Sequence, residues 1–202
     1  MGVDQSLLTK IASSLRIARG SIGPAEAGAA DRIAAADQAA ETNSILSRAA
    51  KLYGTRPTGE EDTPPTGFDP AAAALFEALV EGAFLVAHAD GEFDDDERAA
   101  FEQVVLAATD RHVDAGQVAA LLHDLDASYM EDGADRRIQF VARTVPKPEQ
   151  QHEVLRVAAL IGHISGGVSD VERATMEKLA EGFGLDRSAV ERAIAAARAA
   201  VG

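Results

Sequence analysis

Six carboxylates stand within eight residues, at Asp90, Glu92, Asp94, Asp95, Asp96 and Glu97, and no basic side chain follows until Arg98. Like charges held this close repel one another unless water, a helix N-terminus or a cation takes up the charge. Calcium and related hard cations take six to eight oxygen ligands. The run is therefore a candidate divalent-metal site, with Asp90, Asp94 and Glu97 as its principal ligands and Glu92 as a further one. His88, two residues before Asp90, adds a nitrogen donor, which moves the choice of metal from calcium toward zinc. A second reading needs no ligand. Asp94 caps a helix, Glu97 completes its capping box, Asp95 and Asp96 complement the first turn, and Gly91 lets the backbone turn. Only Asp90 and Glu92 are left without a local task on that reading.

Asp90, Gly91, Asp94 and Glu97 match the fifth, sixth, ninth and twelfth positions of an EF-hand loop. Val86 and His88 stand where its first two acidic ligands belong, so any further ligands must come from elsewhere in the fold. The same loop recurs in a weaker copy. Leu85–Gln103 aligns on Leu160–Lys178 without a gap, with eight identities in nineteen positions. His88/His163, Gly91/Gly166, Asp95/Asp170, Glu97/Glu172 and Arg98/Arg173 are among them. The second copy keeps the capping pair as Ser169 and Glu172 but puts Ser165, Gly167 and Val171 in place of Asp90, Glu92 and Asp96. What a helix start needs survives in both copies, and the surplus charge belongs to the first alone.

These turns must be held by helices. Alanine, the strongest helix former, supplies 42 of 202 residues, and no segment alternates as a strand would. Asp69-Pro70 opens one helix, and apolar residues recur from Leu75 to Val86. Asp94/Glu97, Asp114/Gln117 and Ser169/Glu172 open three more, and Pro146 and Pro148 stop a helix marked by Ile138 and Val141. With a helix over about 148–164 and a last one capped by Asp186 or Ser188, residues 70–202 read as seven helices. They form two three-helix units joined by a fourth helix and share one core. Arg98 and Glu102, like Arg173 and Glu177, are spaced for an ion pair along one helix.

The string Ala89-Asp90-Gly91 followed by acids and Glu97, with its weaker copy from Gly166 to Glu172, resembles the TerB-like domain of bacterial tellurite-resistance proteins. The resemblance covers roughly 70–202. It implies one all-helical bundle built from two such units, a role in stress and metal or metalloid resistance, and an acidic loop that binds divalent cations. It implies no catalytic mechanism.

Residues 1–54 read as an Ala-rich helical extension and 55–69, with three prolines, as a linker. Within the extension, residues 5–19 carry Leu7, Leu8, Ile11 and Leu15 on one stripe, with Lys10, Arg16 and Arg19 mostly off it. That pattern suits docking on a partner protein or an anionic surface, and makes a metal-free adaptor the alternative function. A protein partner, a second copy of the chain included, is expected. The net charge of −14 repels phosphate backbones and argues against nucleic-acid binding. Residues 70–202 carry a net −12 of it, so a cation site belongs there. The absence of cysteine removes disulfides and thiolate metal sites, and no Walker A loop, G-x-S-x-G or H-E-x-x-H string occurs, so no enzyme is expected. No run approaches the roughly eighteen consecutive apolar residues expected of a membrane span, and Asp4, Gln5 and Lys10 interrupt any signal-like start. A cytoplasmic protein is the expectation.

Overall fold

A computed structural model describes residues 45–54, 69–91, 93–109, 111–164 and 166–201. The amphipathic run 5–19, the linker before Asp69 and the candidate ligand Glu92 lie outside the described residues. Eight helices and no strand occur among those described: α1 (Ile45–Tyr53), α2 (Pro70–Ala87), α3 (Asp95–Ala108), α4 (Ala115–Asp132), α5 (Ala134–Thr144), α6 (Pro148–Ile164), α7 (Asp170–Gly182) and α8 (Ser188–Val201). The all-α architecture and the seven helices of 70–202 are as the caps and periodicity require. Asp69 caps α2, its carboxylate accepting from the Ala71 and Ala72 N–H groups. Asp94, Asp114 and Ser169 each close a reciprocal capping box with the residue three places on.

The sister helices α2 and α6 lie side by side at the centre, and both are buried over most of their length. Helix α1 and helix α5 cover α2, while α8 covers α6. Helix α1 belongs to the Ala-rich extension, yet Leu46, Ala49, Ala50 and Tyr53 are buried in the same core, with the Tyr53 ring 4.6 Å from that of Phe76. Helix α2 is long and apolar enough, by length and composition, to cross a bilayer. Here its apolar surface is instead the middle of the core.

The central pair approaches closely because α2 carries a glycine at the contact. A Cβ at Gly82 would stand 2.3 Å from Val154 Cγ1 of α6, inside any real carbon–carbon contact. Gly82→Ala gains about 1 kcal/mol of helix propensity but overpacks a site where neither helix can yield cheaply, at about 1–3 kcal/mol. We expect a net loss of up to about 2 kcal/mol in urea unfolding. A variant more stable than the parent would show that the two helices are free to separate.

Three carboxylates are buried among the described residues, Glu81, Glu153 and Glu172, and the first lies in the central helix α2. Glu81 of α2 is 3% exposed. Arg137 of α5 donates Nε–H to its Oε1 at 2.6 Å and an Nη1–H to Asp132 Oδ2 at 3.3 Å. The guanidinium also lies 4.5 Å from the centre of the Phe140 ring. Burial pushes the Glu81 carboxyl above its ordinary range, and the hydrogen bond and charge of Arg137 pull against that shift. Arg137 is held even more firmly protonated by Glu81. Such close ion-pair geometry is that of an ionised carboxylate.

Candidate functional site

The two sister turns follow α2 and α6 and face each other across a cleft. His88 ends α2, its backbone N–H donating to Phe84 O at 2.8 Å, and the Gly91 N–H then returns to His88 O at 3.1 Å. Gly91 adopts φ +86°, and Gly166 and Gly167 adopt +125° and +109°, conformations that L side chains rarely take. Glycine at Gly91 and Gly166 is thus required by the turn in both copies.

The capping boxes then set the carboxylates. The Glu97 N–H donates to Asp94 Oδ1 at 2.8 Å, and the Asp94 N–H donates to Glu97 Oε2 at 3.2 Å. The second copy repeats this with Glu172 and Ser169, whose N–H reaches Glu172 Oε2 at 2.7 Å. The two glutamates nevertheless differ. Glu172 is 9% exposed, whereas Glu97 is only partly buried. Gly162 explains the difference, since a Cβ there would lie 3.1 Å from Glu172 Oε1 and 3.3 Å from Val168 Cγ2. Its counterpart in the first copy is Ala87, which keeps that methyl.

The cleft between the turns has a volume of about 220 Å³. Asp90, Phe93 and Glu97 line it from the first copy, and Gly166, Ser169 and Glu172 from the second. Its floor is apolar, formed by Ala100, Phe101, Val104, Ile161 and Ile164. Three of the acidic residues singled out from the sequence, Asp90, Glu97 and Glu172, are thus brought to one place. Asp94 and Asp170 are exposed at the starts of α3 and α7, outside the lining of the cleft. Among the described residues, no three aspartate, glutamate or histidine side chains converge closely enough to form a ready-made metal cage.

His88 points elsewhere. Its ring stacks on Tyr129 with centroids 4.4 Å apart, lies 6.0 Å from Phe93, and meets the edge of Phe84 at 5.4 Å. Its Nδ1 is buried without a hydrogen-bond partner among the described residues. Phe93 in turn packs edge-on against Phe84 at 5.6 Å and Phe101 at 5.8 Å. An aromatic bracket therefore underpins the acidic turn. The second copy has Val168 in place of Phe93, and its His163 is partly buried outside the cleft lining.

Arg98 and Arg173 correct one expectation. Neither pairs along its own helix. Arg98 of α3 pairs with Asp126 of α4, with its guanidinium 5.3 Å from the Phe93 ring centre, and Arg173 of α7 pairs with Glu191 of α8. Each arginine reaches across to the next helix of its own unit, where a carboxylate lies closer than the one four residues on. Arg98 is thereby committed away from the acids beside it. Among the described residues, no Lys, Arg or His forms an ion pair with Asp94, Asp95, Glu97 or Glu172.

Sequence reasoning missed the apolar floor, the aromatic bracket and the special burial of Glu172. The helical spacing of Phe84 and His88 was a legible signal for the bracket; Tyr129 came from a distant helix with no such signal. Comparison with curated proteins and with solved structures gave no match. Comparison with protein families gave one, over residues 73–196, to the family described as tellurite resistance protein TerB. Those residues span both sister turns, all the cleft-lining residues named above and most of α8, and the chain accordingly belongs to the TerB family.

Proposed function

We propose that this TerB domain is a non-enzymatic, cytoplasmic cation-binding module acting in stress or tellurite and metal resistance. It binds a divalent ion at the acidic rim of the cleft. One observation carries the reading: Asp90 and Glu97, from the turn with the surplus charge, line the same cleft as the buried Glu172 of its sister. The donors gathered there are carboxylate oxygens, and His88 is engaged by Tyr129 instead, so calcium chemistry fits better than zinc. Asp90 and Glu97, joined by Asp94 and Glu92 of the same turn, would hold the ion, whose charge would relieve their mutual repulsion.

Calorimetric titration with calcium, magnesium, manganese and zinc tests this. Calcium is expected to release or absorb heat and, at a hundred times its Kd, to stabilise the fold by about 2.7 kcal/mol, or roughly 5–10 °C in Tm. The double variant Asp90→Asn, Asp94→Asn should lose both effects, because asparagine still caps the helix while the charges are gone. No heat and no change in Tm with any of the four ions would end the reading.

The alternative is a metal-free adaptor. It draws on apolar side chains left at the surface, Met130 at 82% and Phe140 at 49% exposure. Partner binding that persists unchanged in a chelator would favour it.

A further inference from the structure

The geometry points to a second ligand class for the inner part of the cleft: a primary ammonium group carried on an apolar stem. This goes beyond the rim-bound divalent ion and rests on the cleft itself, not on metal occupancy. Glu172 is nine-tenths buried, faces the cleft, and has no cationic side chain in ion-pair reach among the described residues. Its Oε2 accepts from the Ser169 backbone N–H at 2.7 Å, and its Oε1 takes the ground a side chain at Gly162 would need, 3.1 Å from that Cβ position. A buried carboxylate without a counter-charge is costly, and a cation that enters beside it recovers that cost.

The floor decides which cation. A hydrated metal ion gains nothing from the part-exposed Phe93, Ala100 and Ile164, whereas an alkyl stem removes them from water. An ammonium head brings three N–H donors and no acceptor, which suits a wall holding Glu172, Glu97 and the Ser169 hydroxyl. Amphipathic cations divide themselves in just this way, stem on apolar surface and head on polar groups. The same chemistry comes from a free alkylamine or from a lysine side chain of another protein.

The full chain is titrated, in a calcium chelator, with methyl-, butyl- and hexylammonium chloride, and with hexanol as the neutral control. Binding should tighten about two- to fourfold per methylene as the stem reaches the floor. Hexanol should bind at least tenfold more weakly than hexylammonium. Glu172→Gln keeps the capping box, since glutamine serves at that position, and should weaken hexylammonium at least tenfold. Ala100→Leu fills the floor from the other wall and should abolish the dependence on stem length. Nα-acetyl-lysine amide distinguishes the sources: affinity equal to butylammonium assigns the site to a protein lysine, and exclusion of the amide while hexylammonium binds assigns it to a free amine. Hexanol binding as well as hexylammonium, no binding of any ammonium, or identical affinities in both variants would overturn the inference. Calcium binding read through Asp90→Asn, Asp94→Asn is scored separately, so either proposal can fail while the other stands.

Discussion

Replacing Arg137 by methionine is expected to destabilise the protein by about 3–5 kcal/mol at neutral pH, the usual effect of stranding one member of a buried ion pair. Glu81 would remain in the core with its carboxylate unpaired, since Arg137 is the partner that reaches it at 2.6 Å. Methionine preserves much of the stem that packs there, so the loss reports charge rather than volume. For a chain of this size the corresponding fall in Tm is roughly 6–20 °C. The pH dependence has a definite sign. The folded carboxyl already sits above its ordinary value because of burial, and loss of Arg137 removes what opposes that shift. The folded variant therefore binds a proton that the unfolded chain has released, and its stability falls as pH rises through the raised pKa. The gap between parent and variant should be widest at neutral and alkaline pH and narrow toward acid. Asp132 works in the opposite direction in the parent, because hydrogen bonds from Arg136 and Arg137 hold its carboxyl below the ordinary range. Its contribution is present above that range and fades as pH falls. Urea unfolding at several pH values measures both, and Glu81→Leu combined with Arg137→Met should regain most of the loss. A single-variant loss below 1 kcal/mol, or one that does not change with pH, would contradict this account of the pair.

Phe84→Ala should cost about as much, roughly 3–5 kcal/mol, and should be felt at the cleft. Phe84 is fully buried, and its ring stands 5.4 Å from His88, 5.6 Å from Phe93 and 6.3 Å from Tyr129. Those rings fill the space directly beneath the acidic turn. A cavity in the bracket leaves Phe93 with only one of its two edge-on partners, Phe101, and Phe93 immediately precedes the helix cap at Asp94. Faster amide exchange at Ala89, Asp90 and Gly91 than at Gly166 and Gly167 is therefore expected in the variant. Uniform acceleration over both turns would mean that the bracket supports the whole fold and not the first turn in particular.

Local signals and distant ones were unequally visible in the sequence. Capping at Asp94, Asp114 and Ser169 could be anticipated because a capping box involves two residues three apart, and the backbone between them leaves little choice of partner. The repeat made the facing of the two turns intelligible, because equivalent helices with apolar faces bury them against each other. The partners of Arg98 and Arg173 were not legible. A flexible side chain at a helix surface has several carboxylates in reach, and only the packing of the next helix decides among them. Glu81 left a visible trace, an acid amid the apolar run Leu79–Val86, but nothing local named Arg137, fifty-six residues away, as its answer. The cleft was half legible: its acids were conspicuous, while its floor is assembled from helices α3 and α6 and exists only once they meet.

A duplicated scaffold would ordinarily offer a visitor two equivalent poses, each the other turned end for end. The hydrogen that stands at Gly162, where Ala87 has a methyl, removes that degeneracy by letting one glutamate sink while its twin stays near the surface. The groove thereby acquires a direction, and anything asymmetric that enters it has one preferred way round.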